Sequence, residues 1–127
     1  SGGVGGDLRD LEAAAAEGNP DAQLAIDTYV QEIRRHLGSM LVALGGCDAL
    51  VFTGGIGENG ANVRAEVCSG LDELGLQIDA TANADLRGVE GRVDGAASRS
   101  QIWVIPTNEE LIVARQTAAL IANQADR

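Results

Sequence analysis

Residues 49–64 read ALVFTGGIGENGANVR. Ala49 to Thr53 is a short apolar run with strand character. Gly54, Gly55, Gly57 and Gly60 follow at once, with Glu58 and Asn59 among them. From Ala61 to Leu74 the pattern turns helical, with Val63, Val67, Leu71 and Leu74 on one face. A glycine-rich segment between strand and helix lets backbone N–H groups approach a phosphate or a ribose without side-chain obstruction. The helix behind it adds a partial positive charge. The plain alternative is a tight strand-to-helix turn with no ligand. The density of glycine, with Glu58 and Asn59 inside it, favours nucleotide binding.

Working outward, Asp7 is placed to cap a short helix from Leu8 to Glu17, which Gly18 ends. Asn19-Pro20 then reads as the cap and first residue of a long helix. Its stripe is Ile26, Val30, Ile33, Leu37, Met40, Leu41 and Leu44, and Gly45-Gly46 stops it. Downstream, Gly75 closes the second helix, Leu76 to Ile78 reads as a brief strand, and residues 79–100 read as a long loop. Ile102 to Ile105 is a buried strand stopped by Pro106. Thr107 and Glu110 have capping-box spacing for a last helix whose apolar face includes Leu111, Val113, Ala114, Ala118 and Ile121. Strands alternating with helices favour an α/β layer structure with mainly parallel strands.

The composition narrows the chemistry. A chain of 127 residues fits one domain. Its nine basic residues are all arginine, so no Schiff-base lysine, Walker-type lysine or kinase strand lysine exists in it. A net charge of -10 disfavours nucleic acid and anionic membranes, which need clustered cations. The only aromatic residues are Tyr29, Phe52 and Trp103, which leaves little for base stacking by aromatic platforms. Cys47 and Cys68 have no metal or redox spacing and read as buried thiols. No apolar run approaches the ~20 residues of a membrane span, and no signal peptide opens the sequence. The expectation is a reduced, cytoplasmic protein.

Several segments carry two readings. Gly55 to Gly60 also fits the dinucleotide fingerprint G-x-G-x-x-G, with Asp79 after the next expected strand, which keeps a Rossmann-type oxidoreductase fragment as an alternative. Glu109 and Glu110 begin a helix, where carboxylates suit the dipole. Simple capping competes with Glu109 holding Mg²⁺. Asp7 and Arg9 read as a cap with a solvated arginine, or as contacts to ribose and adenine. His36, the single histidine, reads as a surface or interface residue, and Arg64 and Glu66 as helix-face charges. A non-enzymatic oligomerisation module, using the long helix over 20–44, is a third reading.

Three stretches taken together resemble the C-terminal part of the acetate kinase family. They are GGVGGDLRDLEAAAAEGNPDAQLAIDTYV at 2–30, LGGCDALVFTGGIGENGANVR at 44–64 and VIPTNEELIVAR at 104–115. That family includes acetate and propionate kinases and belongs with sugar kinases, Hsp70 and actin. The resemblance implies one subdomain over residues 1–127, with a ribonuclease H-like layered, mainly parallel sheet and flanking helices. It implies reversible transfer of the ATP γ-phosphoryl group to acetate, with Mg²⁺, giving acetyl phosphate and ADP. Asp7, Leu8 and Arg9 match the family segment that contacts adenosine. Gly55, Ile56, Gly57, Glu58 and Asn59 match its nucleotide loop, and Glu109 matches its metal-associated glutamate. The groups that hold the short-chain carboxylate and the transferring phosphoryl belong to the family's N-terminal lobe. No catalytic residue is therefore assigned here, and the chain alone is expected to hold nucleotide weakly and transfer little. The resemblance also implies a homodimer.

Overall fold

The computed structural model describes residue 3 and residues 5–125, with the backbone alone at 109 and 123–125. Helix α1 spans Leu8–Ala16 and α2 spans Pro20–Leu44. Both begin where their caps dictate. Asp7 accepts from the Arg9 amide at 2.9 Å, and Asn19 Oδ1 accepts from the amides of Asp21 and Ala22 at 3.0 and 3.1 Å. Gly45 ends α2 in the left-handed region (φ 72°), where the Gly46 N–H closes onto the Leu41 carbonyl at 2.8 Å. The two helices pack against each other, and α2 also packs against the helix that follows the glycine segment. Val30 and Leu37 of the expected stripe are buried, with Ile26, Ile33 and Leu41 packed around them. Met40 and Leu44 lie outside this face, at 56% and 74% exposed.

Strand β1, Ala49–Phe52, pairs in parallel with β3, Gln101–Val104. Strand β2, Gly91–Arg92, pairs antiparallel with the other edge of β3, giving the order β1-β3-β2. The sheet is thus small and mixed, with one parallel and one antiparallel pair. Ile102, Val104, Leu76 and Val93 are fully buried and join Val63 and Val67 in one core.

Between the strands the path differs from the expectation in four places. Residues 54–59 form a helix, α3 (Gly54–Asn59), instead of a loop. The next helix, α4, spans Ala61–Cys68, shorter than expected, and a separate 3₁₀ turn covers Asp72–Leu74. Leu76–Ile78 makes only an isolated antiparallel bridge, Ile78 to Asp94, closed by the Asp79 amide on the Val93 carbonyl at 2.7 Å and the Gly95 amide on the Gln77 carbonyl at 2.8 Å. Residues 79–100 hold helix α5, Ala80–Asp85, capped by Asp79, as well as β2. The last helix, α6 (Glu109–Ala125), starts as expected, but Asn108 caps it: its Oδ1 accepts from the Leu111 amide at 3.0 Å. The Thr107 amide donates to Glu58 instead. Among the described residues, the apolar side chains of α6 do not enter the core; Leu111, Val113 and Ile121 are exposed.

Arg64 of α4 is fully buried, against the expectation of a helix-face charge. Its Nη1 donates to the carbonyls of Gly57 (2.8 Å) and Glu58 (3.1 Å). Its Nη2 donates to the carbonyls of Asn83 and Leu86, both at 2.8 Å, and its Nε to Asn83 Oδ1 at 2.7 Å. All five guanidinium donors are engaged. Burial, with a smaller contribution from the neighbouring Arg87 charge, pulls the Arg64 pKa down from the ordinary arginine value. Asn83, itself buried, passes its amide on to the Ala61 carbonyl at 2.8 Å. One side chain thereby joins α3, α4, α5 and the turn after α5. Arg64→Ala should strand these acceptors in the interior and lower stability by about 3–5 kcal/mol in urea unfolding. Arg35→Ala, at an exposed pair with Glu32, should leave the midpoint essentially unchanged.

Candidate nucleotide cleft

The start of α1 and the face of α3 confront each other across an open cleft of about 510 Å³. Asp7, Leu8 and Arg9 form one wall; Gly55, Ile56 and Asn59 form the other. Six of the eight residues matched to nucleotide binding in the sequence therefore meet in one place, although about fifty positions separate the two groups in the chain. The cleft also takes in Arg87, in the turn after α5, which no sequence motif indicated.

Each wall is held by local chemistry. Asp7 grips Arg9 twice through side chains, Nη2 to Oδ2 at 2.8 Å and Nε to Oδ1 at 3.2 Å. The Arg9 side chain, and then its backbone amide, pull the Asp7 carboxyl down to about 2. Asp7 is thus ionised across the physiological range, and the exposed Arg9 guanidinium lies held in one plane. Asn59 Nδ2 donates to the Gly55 carbonyl at 3.0 Å, which leaves Oδ1 as the free acceptor of that side chain.

The four glycines divide into two kinds. A Cβ on Gly54 or Gly55 would meet nothing within 4 Å, so both leave open space. Gly54 also takes φ +75°, which disfavours any other residue. A Cβ on Gly57 would press on Phe52 at 3.2 Å, and one on Gly60 would collide with the Ile56 carbonyl oxygen at 2.6 Å. Gly57 and Gly60 are required by packing, and neither Gly57 nor Glu58 lines the cleft. The Glu58 carboxylate turns the other way and accepts from the Thr107 amide at 2.9 Å and its hydroxyl at 3.4 Å.

The side chain of Glu109 lies outside the described residues; its backbone opens α6 directly after the segment that Glu58 holds. Among the described residues no group of three His, Cys, Asp or Glu is arranged to hold a metal ion. With Asp7 paired to Arg9 and Glu58 to Thr107, the described carboxylates do not form a Mg²⁺ cage by themselves. Asp79 is engaged as the cap of α5, accepting from the Ala82 amide at 2.7 Å, and is absent from the cleft lining. His36 is exposed, 4.0 Å from Glu32. Cys68 is buried, and burial raises its thiol to about 11; Cys47 is half-buried.

Residues 1–115 match the model of the acetokinase family. The chain belongs to that family. It is 50% identical over 119 residues to the acetate kinase of Dichelobacter nodosus, covering 93% of this chain and 30% of that protein. The crystal structure of Porphyromonas gingivalis acetate kinase superposes with a TM-score of 0.83 at 38% identity, covering 94% of this chain and 30% of that one. A propionate kinase from Francisella tularensis superposes at 0.75 with 40% identity over 85% of this chain and 27% of its own. The chain thus spans about 30% of the length of the acetokinase relatives it matches. Its fold is that of these kinases, which sets aside the dinucleotide-oxidoreductase alternative. No helix among the described residues is long and apolar enough to cross a membrane.

The Glu58 link is directly testable. Glu58→Ala should speed hydrogen exchange at the Thr107 amide by about tenfold, the cost of one lost hydrogen bond, while Glu58→Gln keeps an acceptor and most of the protection. Unchanged exchange in Glu58→Ala would show that the carboxylate does not hold this turn.

Proposed function

We propose that this chain is the nucleotide-holding, C-terminal subdomain of an acetate kinase, an ATP-dependent phosphotransferase acting on a short-chain carboxylate. The observation that carries the reading is the meeting of the Asp7-Leu8-Arg9 turn with Gly55, Ile56 and Asn59 across one cleft. ATP or ADP lies in that cleft, with its phosphates toward the open Gly54-Gly55 end of α3 and its base toward Asn59. Leu8 and Ile56 supply apolar contact, and Asp7 accepts from ribose hydroxyls. Glu109 is the residue that would hold Mg²⁺, directly or through water, and the ion would supply neutralisation of phosphate charge. The chain's own residues bind and orient the nucleotide. Transfer depends on positioning and on charge stabilisation around the phosphoryl group. This chain is assigned none of the groups that would do that, so alone it binds without transferring. A cytoplasmic location follows from the family reading alone.

Titration with Mg-ADP, followed by calorimetry or NMR shifts, should show saturable binding. Gly55→Val fills open space, so the fold should persist, by circular dichroism, while ADP affinity falls at least tenfold. Gly57→Val should instead damage the fold through Phe52. Absence of ADP binding, or full affinity in Gly55→Val, would sink the proposal. Acetyl phosphate formation from ATP and acetate by the pure chain would refute the inactive part of it.

Homodimer formation belongs to the same reading. It is supported by the apolar side chains at the end of α2 and beside it: Met40, Val42, Leu44 and Leu74 are 56%, 84%, 74% and 58% exposed. Sedimentation should show a concentration-dependent dimer that Val42→Glu with Leu44→Glu converts to monomer. A wild-type monomer throughout the accessible concentration range would dismiss it.

A further inference from the structure

Arg87 stands apart from the other arginines near it. Arg9 is tied to Asp7, Arg92 to Asp94, and Arg64 to its five acceptors. Arg34 and Arg99 donate to backbone carbonyls. Arg87 lines the cleft and is exposed, and among the described residues its guanidinium has no carboxylate or carbonyl partner.

Its backbone is nonetheless fixed on both sides. The preceding carbonyl, of Leu86, accepts from Arg64 Nη2 at 2.8 Å. The following amide, of Gly88, donates to the Glu58 carbonyl at 3.2 Å. Gly88 takes φ +64°, and a Cβ there would lie 3.4 Å from Asn59 Oδ1, so the turn passes directly against the Asn59 side chain. Arg87 is therefore presented at the Asn59 end of α3, away from the open Gly54-Gly55 end. At that end the cleft offers Asn59 Oδ1 as an acceptor, with the Glu12 carboxylate held by the Asn62 amide at 3.3 Å nearby, and, among the described residues, one unengaged fork of donors, Arg87. The apolar Ile56 lies beside them. An acceptor beside a donor matches the edge of a 6-aminopurine, which presents an exocyclic N–H next to a ring nitrogen acceptor. The guanidinium plane also stacks well on a flat heteroaromatic ring.

We propose that Arg87 is a base-recognition residue of this cleft, donating to a ring acceptor of the purine while Asn59 Oδ1 accepts from the amino group. The inference rests on the nucleotide reading above and adds a specificity-determining residue to it. Arg87 is exposed and its side chain holds nothing else among the described residues, so Arg87→Ala should fold normally by circular dichroism.

The test titrates adenosine, AMP, ADP and GDP into the wild-type chain and Arg87→Ala, read by NMR shifts that reach millimolar affinities. The expected result is about a tenfold loss for adenosine, AMP and ADP alike, as one charge-assisted hydrogen bond disappears. The preference for ADP over GDP should shrink with it, and Arg87→Lys should restore affinity only in part. A loss that grows with phosphate number and spares adenosine would overturn the proposal and make Arg87 a phosphate contact. Equal affinities in wild type and Arg87→Ala would also overturn it while leaving the nucleotide reading intact. Failure of the wild-type chain to bind any of the four would remove the nucleotide reading itself, and this inference with it.

Discussion

The guanidinium of Arg64 is a buried cation with no carboxylate beside it, and the cleft is organised around how it is satisfied. A lone charge in a protein interior is costly unless hydrogen bonding compensates for lost water. Here the compensation comes from oxygen atoms at the C-terminal ends of two short helices. The carbonyls of Gly57 and Glu58 belong to the last turn of α3, and those of Asn83 and Leu86 to the end of α5. The last carbonyls of a helix lack intrahelical partners and carry partial negative charge. One arginine caps two helices, and each helix end in turn stabilises the arginine. Neither α3 nor α5, at six residues each, has the length to persist by propensity alone.

That mutual cap sets the orientation of everything that faces the cleft. With the C-terminal end of α3 fixed, Gly55 and Asn59 are held opposite Asp7 and Arg9. With Leu86 fixed, the next residue is delivered to the rim. The glycines around α3 follow the same logic. Gly57 and Gly60 let the helix lie close on Phe52 and pass its own Ile56 carbonyl, whereas Gly54 and Gly55 keep open space. A single glycine-rich string thus serves packing and ligand access at different positions.

Much of this was legible in the residues, and the parts that were not share a cause. Helices α1 and α2 were readable because caps, a proline at the first turn and a stripe at steps of three and four all agree. Strands β1 and β3 were readable as short apolar runs stopped by glycine and proline. The helical state of 54–59 was not, since four glycines in seven positions argue against a helix locally and the deciding hydrogen bonds come from Arg64, outside the segment. Helix α5 and strand β2 are too short for periodicity to register. Arg64 shares its buried face with Ala61 and Cys68 at steps of three and four, but a charged residue between small ones reads locally as a helix-face charge, and only the carbonyls brought in by α3 and α5 make its burial possible. Arg87 left none, because its position depends on two hydrogen bonds to its neighbours' backbone, one from the Arg64 guanidinium and one to the Glu58 carbonyl, that no local pattern encodes. Six of the eight matched nucleotide residues did come together, while Gly57 and Glu58 serve the framework.

Glu58 explains why a nucleotide-type motif would include a carboxylate that does not face the ligand space. Its backbone carbonyl accepts from Arg64 and from the Gly88 amide, while its side chain reaches the Thr107 amide 49 positions away. The same residue therefore touches α4, the turn that carries Arg87, and the turn that launches α6. β1 and β3 already run in parallel with Phe52 opposite Val104, and the Ile105 amide closes onto the Phe52 carbonyl at 2.9 Å. The Glu58 carboxylate continues that pairing beyond the end of the sheet, where strand hydrogen bonds have run out. The glycine segment and the Ile105-Pro106-Thr107 turn are consequently braced against each other at two levels, one backbone and one side-chain. A phosphate approaching Gly55 and a metal approaching the start of α6 would then meet surfaces whose spacing is set by the sheet, and would not have to order them on binding.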